Sequence, residues 1–506
     1  MKRLGLLIMP LMAVSLLACN NGGGDKPDPS TYTVTYVNYD GTVLQTNEVE
    51  EGQMPPEYVN PIPRKKSDTF IDYKFTKFLP EASVVQSDQI YVANYKSEIY
   101  PDTMVHMNTN ISESAKTFTF LCQTPNRVTV SWGDGKEDEG PGNFSHTYTD
   151  AGEYSIRIFG DAEAITIKEN KEPIEDIYLG DTIVDIPASS FQGCSKLCSI
   201  TFSKDTNLGA GIGDNAFSGC TSLTSIELPY VTSIGESAFK NCSSLTSVKF
   251  LESYIPSIPT SAFSGCSNLS IEFTNITSMY DSIKDFLNSE VVTSISLPKV
   301  ALIPEQYFYN NKNLTSIKLP SVTSISGDAF CGCDNLASVE IPSIESIGAG
   351  AFSGCFKLTS IELPNNLISI ERDAFGGCGL TSIEIPSSVK TLPSHCFVLC
   401  KNLASIELHN GLTSIEENAF DQSGLVSIKI PNSVNSIEDS AFWDCSSLEK
   451  FDLTEFNLDS AIPSLGDYVF EYSTNVKFYV NSKAMAEKFI AGGWPNDINK
   501  YVWPQA

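Results

Sequence analysis

Residues 215–229 read NAFSGCTSLTSIELP, residues 350–364 read GAFSGCFKLTSIELP, and residues 395–409 read HCFVLCKNLASIELH. The phenylalanine of this phrase returns every 22–26 residues, at Phe191, Phe217, Phe239, Phe263, Phe286, Phe308, Phe330, Phe352, Phe375, Phe397, Phe420 and Phe442, and after a longer gap at Phe470. A fixed period of this size marks a solenoid, in which each repeat buries its apolar side only against its neighbours. Such a stack builds a long exposed surface and seldom a catalytic cleft. Binding is therefore expected before any chemistry.

One repeat shows how the stack forms. In Leu223 to Pro229, Ile226 and Leu228 share one face of a strand while Ser225 and Glu227 share the other, and Pro229 ends the strand by removing a donor. Val231 and Ile234 point inward again, and Ala216, Phe217 and Cys220 are expected on a helical or 3₁₀ turn behind the strand. Stacked in parallel about 4.8 Å apart, the outward positions form columns. One column holds Ser225, Ser247, Ser294, Ser316, Ser338, Ser360, Ser382, Ser405 and Ser427. The other holds Glu227, Lys249, Glu272, Ser296, Lys318, Glu340, Glu362, Glu384, Glu407, Lys429 and Asp452. Four like charges in a row, Glu340, Glu362, Glu384 and Glu407, repel across adjacent strands. They serve either as edge-blunting charge or as a docking surface for a basic protein segment or a cation. Tyr230 and Tyr254 occupy equivalent places in neighbouring repeats, and Tyr280, Tyr307 and Tyr309 follow in an irregular stretch. Exposed aromatics side by side suit a protein or sugar ligand, or else cover a weak repeat.

These phrases resemble the BspA-type leucine-rich repeats of bacterial surface proteins. The resemblance runs over roughly residues 175–480 and implies an α/β-type leucine-rich-repeat solenoid, lined by β-strands with short helices or 3₁₀ turns on the convex side. It also implies host matrix proteins or other cells as partners. The repeats are placed at 170–475, with a C-terminal cap at 476–506 in which a helix over Lys483–Ala491 hides the last open edge of the core.

Two small β-rich domains precede the repeats. YTVTYVNYDGTVLQTNEVEEGQ, opening at residue 32, and IYVANYK (90–96) resemble the start and finish of an internalin B-repeat module of the β-grasp type, placed at 31–98. Trp132 running into Gly133-Asp134-Gly135, followed by His146-Thr147-Tyr148 and Gly152-Glu153-Tyr154, resembles a PKD-type immunoglobulin-like sandwich, placed at 99–169. Both resemblances imply spacers without chemistry. Asp134, Glu137, Asp138 and Glu139 invite a calcium loop, but the Asp of such a turn ordinarily caps its own backbone.

MKRLGLLIMPLMAVSLLAC (1–19) has a positive start and an apolar run too short to span a bilayer. Leu16-Leu17-Ala18-Cys19 resembles a bacterial lipobox, which implies a signal peptide over 1–18 and a lipidated Cys19; an ordinary signal peptide is the alternative. NNGGGDKPDPS (20–30) is a flexible tether. The expected location is the outer face of a bacterial membrane, held by the N-terminal lipid.

Removing Lys2 and Arg3 lowers Lys+Arg from 33 to 31 against 61 Asp+Glu, a net charge near −30 that disfavours nucleic acid. Of the 14 cysteines, Cys194, Cys220, Cys242, Cys266, Cys333, Cys355, Cys378, Cys400 and Cys445 each lie three residues after a repeat phenylalanine. A cysteine at a fixed repeat position behaves as a small buried hydrophobe. The close pairs Cys194/Cys198 and Cys331/Cys333 lack the further ligands zinc needs, so no metal and no cofactor are expected. His395 beside Cys396 invites a nucleophile pair, yet Cys396 takes the Ala position of the repeat. No catalytic residue is assigned. The expected function is a monomeric, non-catalytic surface lipoprotein that binds protein ligands, with a glycan-binding accessory lipoprotein as the alternative.

Overall fold

The computed structural model describes residues 31–38, 42–58, 71–79, 85–99, 104–254 and 257–504. Cys19 and the segments expected to be a signal peptide (1–18) and a tether (20–30) lie outside the described residues. Residues 1–100 and 101–506 make up two compact units.

In the first unit β1 (Thr31–Val37), β2 (Val43–Glu50), β3 (Ile71–Leu79) and β4 (Gln89–Ile99) form a mixed sheet in the order β2-β1-β4-β3. β1 pairs antiparallel with β2 and parallel with β4. Alternation along β1 puts Val34 and Tyr36 into a small core with Val49, Val85 and Tyr91, where the rings of Tyr36 and Tyr91 stack at 5.2 Å.

The second unit opens with two facing sheets. β5 (Val105–Ile111), β7 (Val128–Ser131), β8 (Glu137–Gly140), β10 (Gly152–Phe159) and β12 (Ile174–Leu179) lie in one; β6 (Thr117–Gln123), β9 (Gly142–Thr147) and β11 (Ala164–Glu169) form the other. Phe118, Phe120, Trp132, Ile156, Ile158 and Ile165 are buried in the core they belong to. β12 pairs antiparallel with β5 on one side and parallel with the first repeat strand, Ser199–Phe202, on the other. The change of architecture near residue 170 therefore happens inside one continuous sheet, with no gap in contact.

From there the chain winds as a β-solenoid. The strand pattern of Ser225–Leu228 alternates exposed and buried, with Ile226 and Leu228 inside and Ser225 and Glu227 outside. Its register continues through Ser247–Phe250, Leu269–Phe273, Val292–Ser296, Ser316–Lys318 and Ser338–Glu340, all parallel. A second parallel ladder starts at Ser382–Glu384 and ends at Tyr501–Val502. Between them, residues 359–363 carry no strand pairing. The phenylalanine rings stack from Phe191 to Phe286 and again from Phe308 to Phe470, at 4.9–5.7 Å between centroids. Phe286 lies in α1 (Lys284–Leu287), a single helical turn that replaces the usual phrase in the irregular repeat.

The turns behind the strands are where the structure departs from expectation. Few are helical: among the described residues of the repeats the 3₁₀ and α-helical segments are Thr260–Phe263, Asp281–Ile283 and α1. The non-helical turns each have two left-handed residues, such as Asn215 (φ 56°) and Gly219 (φ 78°), which a right-handed helix does not tolerate. Alternate N–H groups leave the turn altogether. Those of Asn215, Phe217 and Gly219 donate to the carbonyls of Glu236, Ala238 and Lys240 in the next repeat at 3.0, 2.7 and 2.8 Å. Those of Ala216, Ser218 and Cys220 close local three-residue loops instead. Half of the donors a helix needs are thus used to join repeat to repeat.

At the C-terminal end α2 (Lys483–Ala491) follows the strand Lys477–Tyr479. Ser482 caps it, its side chain accepting from the Met485 N–H, and Met485, Ala486 and Phe489 face inward. Trp494 then packs edge-on against Phe478 and Phe489. No helix among the described residues is long and apolar enough to cross a membrane.

Candidate functional site

The outward columns are set by strand register. Lys249 stands between Glu227 and Glu272, 3.8 Å from a carboxylate oxygen of each. Lys318 lies 3.9 Å from Glu340 one strand on. Glu384 faces Glu407 directly across the second ladder and accepts or shares a hydrogen from His409 at 2.8 Å. Lys429 turns away from Glu407 and pairs with Glu455 at 2.8 Å. Of the four glutamates singled out, Glu340 and Glu384 thus have a basic neighbour, while Glu362 and Glu407 have no ion-pair partner among the described residues. All four are exposed. Glu362 sits in the stretch between the two ladders that carries no strand pairing. The hydroxyl column beside them is partly cross-linked: Ser316 donates to Ser294 at 2.8 Å.

Tyr230 and Tyr254 stand side by side with ring centroids 5.6 Å apart and planes tilted by 30°. Tyr230 is half-buried and Tyr254 is 50% exposed. Tyr280 and Tyr309 are exposed, but Tyr307 is not part of any surface patch. It is 2% exposed, and its hydroxyl donates to the Tyr280 carbonyl at 2.6 Å. The irregular helical turn α1 leaves a gap that this ring fills, its edge against Phe308.

The Asp134 turn is closed by protein groups. His146 Nε2 is 2.9 Å from Asp134 Oδ2, and the Lys136 N–H donates to Oδ1 at 3.1 Å. Burial alone raises this carboxyl, but those hydrogen bonds outweigh it and hold its pKa below the ordinary value. Glu137, Asp138 and Glu139 lie on the exposed strand β8; Asp138 accepts from the Trp132 indole at 2.7 Å and Glu139 from Arg127 at 3.1 Å. The ring of His146 stacks on Trp132 at 4.9 Å, a structural role.

The cysteine column has a function that spacing alone did not reveal. From Cys220 onward the thiols of the column donate to the carbonyl of the phenylalanine one repeat back, as in Cys220 to Phe191, Cys333 to Phe308, Cys378 to Phe352 and Cys400 to Phe375, at 3.0–3.2 Å. All thirteen cysteines of the described residues are free. Burial pushes the thiols of Cys194, Cys242 and Cys400 up to about 12. Cys396 is buried as well, and His395 beside it holds a left-handed turn position (φ 58°), its N–H donating to the Glu417 carbonyl. No group of three or more His, Cys, Asp or Glu able to hold a metal is present among the described residues.

None of the curated proteins matches the chain. Among solved structures, a leucine-rich repeat protein from Bacteroides ovatus is 23% identical over 71% of this chain and 90% of that one, with a TM-score of 0.34. A leucine rich cell surface protein from Faecalibacterium prausnitzii is 22% identical over 57% and 90%, with a TM-score of 0.24. A T. pallidum leucine rich repeat protein is 24% identical over 42% and 86%, with a TM-score of 0.29. The model of the BspA type leucine rich repeat region matches residues 169–286, 210–337, 282–375 and 323–449, more than half of the chain together. A match of that extent makes this chain a member of the BspA-type leucine-rich-repeat family.

Proposed function

We propose that this protein is a non-catalytic bacterial surface lipoprotein whose solenoid binds protein ligands, in adhesion to host matrix or to other cells. The observation that carries this is the outward column from Glu227 to Asp452, in which Glu362 and Glu407 stay exposed without a basic partner among the described residues. Exposed carboxylates left unpaired along a rigid array complement a basic protein surface and steer its approach. Cys19 is the lipidation site in this proposal, the residues before it are the signal peptide, and 20–30 tethers the chain. The sheet of 31–98 acts as an internalin B-repeat-like spacer, and the sandwich of 99–169 as a PKD-like one.

The Tyr230–Tyr254 pair favours a second reading, a glycan-binding lipoprotein, because two neighbouring rings with one half exposed offer a stacking platform for a sugar. Labelled mature chain applied to arrays of matrix proteins and of glycans separates the two: protein spots alone support the first reading and glycan spots alone the second. For the anchor, Cys19→Ala is expected to move the chain from membrane to soluble fractions. Equal membrane retention of that variant contradicts lipidation.

A further inference from the structure

The two ends of the repeat stack are finished differently. At the N-terminal end β11 closes the turn edge, the Ile167 N–H donating to the Ser190 carbonyl at 2.8 Å. At the C-terminal end the strands Lys477–Tyr479 and Tyr501–Val502, α2 and Trp494 cover the strand side of the core. The turn edge there is left open. In the penultimate repeat the N–H groups of Ser440, Phe442 and Asp444 donate to the carbonyls of Asp467, Val469 and Glu471 at 2.8, 3.0 and 2.8 Å. The corresponding donors of the last repeat, on Tyr468, Phe470 and Tyr472, have no acceptor among the described residues.

The residues at this edge break the pattern of the other repeats. The two left-handed positions elsewhere hold mostly small or polar residues, such as Asn215, Asp328, Ser440, Gly332 and Gln422. Here they hold Tyr468 (φ 58°, 68% exposed) and Tyr472 (φ 61°, 60% exposed), and the ring of Trp443 meets Tyr472 edge-on at 5.2 Å. A bulky side chain in this conformation is an outlier, and such outliers gather where a surface is used. Asp467 and Glu471 adjoin the two tyrosines in the chain, Asp439 Oδ1 accepts from the Asp467 N–H at 2.8 Å, the Asp444 N–H donates to the Glu471 carbonyl, and none of these four carboxylates has a lysine or arginine partner among the described residues. Lys450, the one cation in residues 430–476, is bonded to Asp452 at 2.9 Å. A groove of about 360 Å³ lined by Glu417, Glu438 and Asp439 ends at Gly466, two residues before Tyr468.

We infer that the open turn edge at Tyr468–Tyr472 is a docking site for a basic peptide segment of a partner protein, which adds one further rung to the ladder. A simple anion would satisfy the three N–H donors but is repelled by the carboxylates. A simple cation would leave the donors unpaired. A polypeptide rich in lysine or arginine supplies both, its carbonyls accepting from the edge and its cations meeting the carboxylates and ring faces. This rests on the protein-binding reading above but uses a different surface from the concave column.

The test is amide hydrogen exchange of the mature chain with a short capped peptide of alternating serine and lysine. The peptide is expected to slow exchange across Tyr468–Ser473, whereas the same peptide with acetylated lysines does not. Tyr468→Asn/Tyr472→Asn, which installs a residue type used elsewhere in the column, should keep the melting temperature and weaken binding about tenfold or more. Glu362→Gln/Glu407→Gln should leave this protection unchanged, so that a failure of the concave surface is read separately. Binding without protection of these amides, equal binding of the acetylated peptide, or wild-type affinity in the tyrosine variant overturns the inference. So does protection that appears with a chitin oligosaccharide, or with rising protein concentration alone, in place of the peptide.

Discussion

A thiol placed three residues after the repeat phenylalanine, as in most repeats, does two jobs at once. It fills a small site in the core and ties its repeat to the carbonyl one turn back. Ser473 takes the same place in the last repeat and donates to Phe442 at 2.7 Å, so a hydrogen-bond donor is favoured there along with small size. Burial raises the thiols of Cys194, Cys242 and Cys400 and shields the column from reagent, and the thiolate is the reactive form. A thiol reagent should therefore label exposed Cys198 first and half-buried Cys331 next, with the buried thiols following only on unfolding. Thiols that stay unlabelled after unfolding until reductant is added would instead reveal disulfides. Asp134 gives a pH test at the same scale. Its folded pKa is depressed from an unfolded value of about 3.9, so its stabilisation is present above that value and is lost as pH falls through the folded one. Asp134→Asn should flatten the acid limb of melting temperature against pH. An acid limb of unchanged slope contradicts the role assigned to the His146 bond.

At the scale of the element, the strands were the legible part. Alternation in phrases such as TSIELP reports burial directly, because side chains in a strand have a period of two. The turns were not legible, since left-handed backbone depends on how one repeat lies on the next; only the excess of Asn, Asp, Gly and Ser around the phenylalanine hinted at it. The helix α2 was readable from its run of helix formers after Ser482. For Tyr307 the sequence left two roles open, ligand anchor or cover for a weak repeat, and its burial fits the second; no period could choose, because burial in an irregular repeat follows from local packing around α1. Phe352 shows what holds an element: it is fully buried and stacks on Phe330 at 5.4 Å and Phe375 at 5.7 Å. Phe352→Ala should cost about 3–5 kcal/mol and loosen the repeats on either side. Equilibrium denaturation with hydrogen exchange reads both effects, and a loss under about 1 kcal/mol would contradict the stacked core.

For the whole molecule, a stack joined only to its neighbours is long, rigid and rich in repeated surface. The run of glutamates visible in the sequence is broken by structure into partnered and unpartnered members, a distinction that needs Lys318 and His409 in three dimensions. What remains unpaired is modest in number but lies on one rigid array, and charge of that kind acts over about 8–10 Å before salt screens it. The most direct measurement is the affinity of the mature chain for a matrix protein captured from the array, taken at low and at physiological salt, for wild type and for Glu362→Gln/Glu407→Gln. Binding that weakens steeply with salt in the wild type, and is weaker and nearly salt-independent in the variant, is the predicted result. Equal affinity of the two proteins at both salt concentrations would contradict the concave column as the binding surface.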